Sequence, residues 1–232
     1  MTKIKGPFQS LSQDNVNSET KLICKRRLVK IVSDRYYMLM PVKQDVSNRT
    51  IAELVAQLGR MSYGESFANG LTPAQWTALR YFSRANCFSR TMSAFAQFHA
   101  TTRGTASQTI KSLVQSGYLA RKRSKTDGRS THFHLTQKSK NMLSADPFKA
   151  LEGAVGALSK SEHRTVARSL ERMLCKLAQK DGKRFFGICT NCKHFKIDDC
   201  CQKGESDYVC TLMDEPLQAA EIEKLCVNFQ SN

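Results

Sequence analysis

From Leu71 onward the apolar positions recur with a helical period. Thr72-Pro73 makes a good helix start, since threonine caps free amides and proline is tolerated at the first helical position. Trp76, Leu79 and Phe82 then supply a face to bury. A second short helix is predicted over Met92–His99, with Phe95 and Phe98 turned inward. A third is predicted over Arg103–Gln115, capped by Thr102, with Ala106, Ile110, Leu113 and Val114 on one side. Gly117 ends it, as glycine does at helix C-termini. Two strands follow, Tyr118–Arg123 and Thr131–Leu135, joined by a charged loop containing Asp127-Gly128, a favoured hairpin pair. A helical stretch over Gln137–Leu158 is expected to break or bend near Pro147. The last helix starts on Ser159-Lys160-Ser161-Glu162, a capping-box spacing, and carries Val166, Leu170, Met173, Leu174 and Leu177 on one stripe. Upstream, Thr50–Phe67 has Ile51, Leu54, Val55 and Leu58 at helical spacing. Residues 1–45, with the basic and apolar Lys21–Met40, fit a strand pair, a helix or a flexible basic arm equally well. The predicted class is mainly α with a small β-hairpin.

Charge divides the chain differently. The 232 residues carry 36 Lys and Arg against 20 Asp and Glu, a net +16. From Gly187 to the end there are four lysines and eight acids, or −4; the preceding residues therefore hold 32 bases and 12 acids, or +20. Such an excess calls for a polyanionic partner. No apolar run reaches the roughly 20 residues needed to span a bilayer. The first residues lack the apolar stretch of a secretory signal, so a cytoplasmic location is expected.

Two short helices, a turn and a basic hairpin have the physical form needed to read duplex DNA, because an α-helix fits the major groove and its partner sets the entry angle. Opposite the apolar stripe of the Arg103–Gln115 helix lie Arg103, Ser107, Gln108 and Lys111. Arginine pairs with guanine, glutamine with adenine, and serine with base or phosphate. Thr101, Thr102 and Thr105 suit phosphate contact at the helix N-terminus. The hairpin adds Arg121, Lys122, Arg123, Lys125 and Arg129 against one acid, Asp127. Its tip can follow the backbone or enter a minor groove, while Asp127 and Arg129 can pair to hold its shape.

Leu71–Leu143 resembles the DNA-binding core of the MarR family of winged helix-turn-helix regulators. The matching stretches are LTPAQWTALRYF and TMSAFAQFHATTRGTASQTIKSLVQSGYLARKRSKTDGRSTHFHLTQKSK. The family's acid, spacer and arginine of the wing fall on Asp127 and Arg129, its recognition helix on Thr101–Ser116, and its strand-to-helix step on Leu135-Thr136. A looser likeness runs from about Thr50 to Lys180. The resemblance implies a homodimer built from the N- and C-terminal helices, bound to a pseudo-palindromic operator. It also leaves room for a small aromatic effector, although the aromatic residues around Trp76 and Tyr81 read as core. Three segments are expected: 1–45 as a basic extension, 46–182 as a winged-helix DNA-binding and dimerisation domain, and 183–232 as a small cysteine-rich, metal-binding module.

Nine cysteines are many for a reducing compartment. Cys24, Cys87 and Cys175 read as scattered packed thiols, whereas the other six fall between Cys189 and Cys226. Cys189-x-x-Cys192 brings two thiolates to one centre from a single turn. Cys210 and Cys226 lie downstream beside apolar anchors, and these four form the simplest ligand set. Cys200 and Cys201 read as spares or a redox pair, and His194 as a substitute ligand. One close pair with two isolated cysteines is similar to the arrangement around a four-iron (4Fe-4S) cluster, whereas structural zinc sites usually use two close pairs. Both centres remain open, the iron–sulfur cluster preferred. The segments C-x-x-C-x-x-F and C-x-L-x-x-E-P-L also resemble the tails of a subset of MarR-like proteins.

Together these features suggest a regulator, a repressor by preference, whose operator binding responds to redox state, oxygen or iron. The tail is expected to act by its packing on the long helices. The other reading is a MarR-type regulator with a structural zinc site, controlled by a small aromatic ligand. An enzyme is not expected, since the sequence displays no nucleophile–base pair, glycine-rich phosphate loop or paired carboxylates.

Overall fold

The computed structural model describes residues 46–63, 70–123, 131–180, 182, 185–197 and 207–231. The expectations for residues 1–45, for the hairpin tip with Lys125, Asp127 and Arg129, and for Cys24, Cys200 and Cys201 lie outside them. The chain divides into two compact units, Met1–Leu54 and Val55–Asn232, and the cysteine-rich tail belongs to the second together with the winged helix.

Helix α1 spans Asn48–Tyr63, and the second unit continues with α2 (Pro73–Arg84), α3 (Met92–Phe98) and α4 (Arg103–Gln115). Strands β1 (Leu119–Arg123) and β2 (Thr131–Leu135) pair antiparallel, from Leu119 opposite Leu135 to Arg123 opposite Thr131. Next come α5 (Gln137–Leu143), α6 (Lys149–Gly156) and α7 (Lys160–Lys180). The tail forms a short 3-10 turn (Cys189–Asn191), three short strands β3 (Phe195–Ile197), β4 (Tyr208–Cys210) and β5 (Glu215–Leu217), and a second 3-10 turn (Ala219–Glu221). The three strands make an antiparallel meander in that order. This is the mainly helical architecture with a small hairpin that the apolar pattern predicts.

Local chemistry accounts for the element ends. Thr72 accepts from the Gln75 amide at 3.3 Å, while the Gln75 carboxamide accepts from the Thr72 amide at 2.7 Å, a reciprocal capping box. The same Gln75 donates to Ser112 Oγ at 3.0 Å, tying α2 to α4. Gly117 takes φ +72°, the left-handed conformation that ends α4. The predicted break near Pro147 separates α5 from α6. There Asp146 accepts from the Phe148 amide at 2.9 Å and from Arg80 Nε at 2.8 Å, and the guanidinium lies 4.6 Å over the Phe148 ring. The corner is thereby fastened to α2.

The core gathers Trp76, Leu79, Tyr81 and Phe82 of α2, Phe95 of α3, Ile110 and Leu113 of α4, and Phe133 of β2. The Phe82 ring packs 5.8 Å from Phe95 and 5.7 Å from Phe133. Trp76 and Tyr81 are buried, in line with a core role. Phe98 departs from expectation. It remains 37% exposed at the rim, against Tyr81 and, from the tail, Phe186. A seven-residue helix has little inward face, and Phe95 already fills it.

Two apolar stripes are left at the surface of the single chain. Ile51, Leu54, Val55, Leu58 and Met61 of α1 are exposed, as are Val166, Leu170, Leu174 and Leu177 of α7. Among the described residues no helix is long and apolar enough to cross a membrane.

Removing Phe95 tests the aromatic core. Phe95→Ala is expected to cost about 3–5 kcal/mol, the usual range for emptying a buried aromatic site, read as a shift in the urea unfolding midpoint. A loss under about 1 kcal/mol would contradict this packing.

Candidate nucleic-acid interface and cysteine cluster

Helix α4 separates its residues by chemistry. Ala106, Ile110 and Leu113 are buried, whereas Arg103, Thr105, Ser107, Gln108 and Lys111 are exposed. Thr101 is half-buried. Thr102 is exposed but engaged as the cap, its hydroxyl accepting from the Thr105 amide at 3.1 Å and lying 2.9 Å from the Thr105 hydroxyl. The turn before α4 places Ala100 at φ +50°, a left-handed conformation rare outside glycine. The far end of α4 is held by α5. Lys138 Nζ donates to Ser116 O at 2.9 Å and lies 4.2 Å over the Tyr118 ring. Thr136 donates to Gly117 O at 2.8 Å.

Arg121, Lys122 and Arg123 are all exposed on β1. The described DNA-contact candidates therefore form a polar row on α4 and a basic strand after it.

Cys189, Cys192, Cys210 and Cys226 are all buried. The Cys189 amide donates to Ile222 O at 2.9 Å, and the Cys192 amide closes the turn onto Cys189 O at 2.9 Å. Cys210 ends β4 opposite Phe195, and the Cys226 amide donates to Gly187 O at 2.8 Å. The Phe229 ring lies against Gly187 so closely that a Cβ there would stand 2.6 Å from it, which only glycine avoids. Burial pushes the Cys189 thiol up to about 12; the neighbouring Cys226, Cys210 and Cys192 add to the rise, against a hydrogen bond from Asn86. Cys226 is raised as well, again chiefly by burial, with Cys210 and Cys192 contributing. Cys189 and Cys210 thus share one buried group. Among the described residues, however, no group of three or more His, Cys, Asp or Glu side chains is arranged to hold a metal ion. Nε2 of His194 is shielded from solvent and has no hydrogen-bond partner among the described residues.

Some important neighbours were invisible in the sequence. Cys87, read there as a scattered thiol, packs against the group formed by Cys189, Cys210 and Leu217. Burial lifts its thiol to about 11, Glu221 adding and Arg90 opposing. It sits in the loop Ala85–Arg90 between α2 and α3, and this loop receives the tail. The Leu225 amide donates to Arg84 O at 2.7 Å, and the Asn86 amide donates to Leu225 O at 2.9 Å. Arg90 Nη2 reaches Glu221 at 2.6 Å, and Lys224 reaches the same oxygen at 2.8 Å. On its other side the loop meets the hairpin, the Phe133 amide donating to Arg90 O at 2.8 Å. Among the described residues the tail thus makes backbone hydrogen bonds and an ion pair to the loop beside the hairpin. No local pattern signals this, because isolated polar residues in a loop look alike whether solvated or buried.

Residues 69–130 match the model of the MarR family. The match covers the larger part of the Leu71–Leu143 resemblance, and it stops before the cysteine-rich tail. Solved structures similar to the chain include a MarR transcriptional regulator from Methanosarcina mazei Go1, 22% identical, covering 57% of this chain and 99% of that one with a TM-score of 0.47. A MepR–DNA complex from S. aureus is 18% identical, covering 58% and 99%, with a TM-score of 0.48. The transcriptional regulator SlyA is 22% identical, covering 57% and 94%, with a TM-score of 0.45. No curated protein sequence matches the chain.

Glu221 tests the docking of the tail. Burial works to raise its carboxyl, but the bonds from Lys224 and Arg90 outweigh it and hold the group below the ordinary carboxylate value. A depressed carboxyl stabilises the fold above its unfolded value and stops doing so as pH falls through the folded one. Glu221→Gln is expected to loosen the tail by about 1–3 kcal/mol, seen as faster hydrogen exchange at the Leu225 and Val227 amides. Acidifying the native protein below the ordinary carboxylate range should produce the same change. Unaltered exchange in the variant would contradict the docking role.

Proposed function

We propose that the chain is a DNA-binding transcriptional regulator of the MarR type, not an enzyme, acting in the cytoplasm as a homodimer and a repressor by preference. The observation that carries this is the amphipathic split of α4: an exposed row of Arg103, Ser107, Gln108 and Lys111 over a buried face, followed directly by the basic strand β1. A helix with that split enters a major groove, and cationic side chains beside it engage phosphates. The match of residues 69–130 to the family supports the reading. The exposed stripes of α1 and α7 supply apolar surface of the kind a symmetric dimer buries. A dimer would present two recognition helices about 34–36 Å apart to two half-sites of a pseudo-palindromic operator.

The second part of the proposal concerns the tail. Cys189, Cys192, Cys210 and Cys226 would hold a thiolate-ligated centre, an iron–sulfur cluster in preference to zinc. The reading rests on donor chemistry: the four cysteines are buried, and burial pushes the Cys189 and Cys226 thiols up, so that a cation would have to replace their protons. When bound, an iron–sulfur centre supplies sensitivity to oxidation and to iron supply. The chain's own residues would convey that state, because the tail grips the loop Ala85–Arg90 and the loop grips β2. Four thiols serve a structural zinc ion equally well, and the spacing of one close pair with two isolated cysteines favours the cluster.

Fluorescence anisotropy on duplex DNA over a series of salt concentrations tests the first part. Replacing Arg103 and Lys111 with alanine is expected to weaken binding at least tenfold, and each lost phosphate contact should reduce the salt slope by about 1. Unchanged affinity at every salt concentration would overturn it. Metal and acid-labile sulfide analysis of protein purified without oxygen tests the second. A brown protein containing both iron and sulfide is expected, a colourless zinc protein would replace the cluster with a staple, and a protein with neither would refute the centre.

A further inference from the structure

Helix α7 repeats one chemistry at every fourth residue. Lys160, Arg164, Arg168, Arg172, Lys176 and Lys180 follow one another at that interval along its whole length, against two acids, Glu162 and Glu171. All six cations are exposed, and among the described residues none is paired with a carboxylate. Glu162 is engaged at the helix start, its carboxylate accepting from the Ser159 amide at 2.9 Å and from the Ser159 hydroxyl.

Such spacing is unfavourable for the helix itself. Residues four apart are neighbours on a helix surface, so the series makes five consecutive like-charge pairs, each of which destabilises the helix. Lys160 adds a cation at the helix N-terminus, where the macrodipole disfavours it. A helix selected for stability alone would alternate acid and base at this interval. The repulsion is relieved when a line of negative charge lies along the ridge.

The geometry limits what that line can be. The ridge advances about 6 Å per cation and runs on the order of 30 Å, close to the roughly 34 Å of one turn of duplex DNA. Arg168 and Arg172 stand on the opposite side of the helix from Val166, Leu170 and Leu177. A membrane surface would take up the apolar stripe and leave these two guanidinium groups facing away from the headgroups. Arginine's planar fork also matches the oxygens of a phosphate. Helix α4 and strand β1 together hold five cations (Arg103, Lys111, Arg121, Lys122 and Arg123), and α7 alone holds six.

We propose that the cationic ridge of α7 is a second DNA-binding surface, engaging the phosphate backbone of duplex DNA without reading its sequence. The inference rests on the reading of the chain as a DNA-binding regulator, and it adds a contact that α4 and β1 do not make. With the apolar stripe turned to a second copy, the ridge faces outward from each protomer. It contributes affinity, while base choice stays with α4.

Fluorescence anisotropy on a duplex several turns long and of unrelated sequence, over a series of salt concentrations, tests it. Two double variants of the full chain remove the same charge: Arg168→Gln with Arg172→Gln on the ridge, and Lys193→Gln with Lys196→Gln in the tail. The ridge variant is expected to bind roughly 10–100-fold more weakly and to lower the salt slope by about 2, one unit for each lost phosphate contact. The tail variant should keep the native slope. A native slope in the ridge variant would overturn the proposal, and so would an equal fall in both variants, which marks net charge and not a contact surface. Sedimentation with anionic phosphatidylglycerol vesicles supplies a further arm: a ridge variant that loses vesicle binding yet keeps its duplex binding would assign the ridge to a membrane and overturn the proposal. Should the ridge variant fail to fold by circular dichroism, Arg164→Gln with Lys176→Gln decides by the same criteria. A native chain that binds no duplex at any salt concentration would refute the DNA-binding reading itself, whereas loss of binding in the Arg103 and Lys111 variant alone would refute only the ridge.

Discussion

The burial of one side of α4 is the constraint from which the rest follows. Ala106, Ile110 and Leu113 must leave water, and only the aromatic core of α2, α3 and β2 is shaped to receive them. Once they do, helical geometry leaves Arg103, Gln108 and Lys111 on the outside. The ends are fixed by separate devices, a threonine cap and left-handed Ala100 at one, the bonds from Thr136 and Lys138 at the other. A helix held at both ends can present side chains to a rigid partner without first being ordered, which is how affinity is gained at low entropic cost.

The tail is joined to this scaffold more closely than its charge suggests. An acidic segment after a basic body looks like a separate appendage, yet Val227 is part of the main core and Phe186 packs against it. The ion pair of Arg90 with Glu221 and the backbone exchange with Leu225 seat the segment on the loop before α3. Opposite charge explains the attraction, and the buried loop explains its precision.

Much of the fold was legible because its signals are local. Thr72-Pro73, Thr102, Gly117 and Ser159–Glu162 each act within a few residues, and the elements fall where they point. The exposed row of α4 was readable for the same reason, since a helical period sorts residues by face. The four cysteines could be listed from spacing, and each is buried, although among the described residues they form no group arranged to hold a metal ion. What was hidden depends on pairing distant in sequence: Asn86 beside Cys189, Arg90 beside Glu221, Cys87 against the tail. Phe98 was misread because helical period gives a direction and not the depth of the core beneath it.

The most direct test is to select duplexes from a random pool with the native chain under anaerobic conditions and to footprint the winner. Enrichment of a pseudo-palindromic sequence is predicted, with protection over two half-sites centred about 10 base pairs apart. A pool that yields no preferred sequence and no paired protection would contradict a dimeric recognition helix entering the groove.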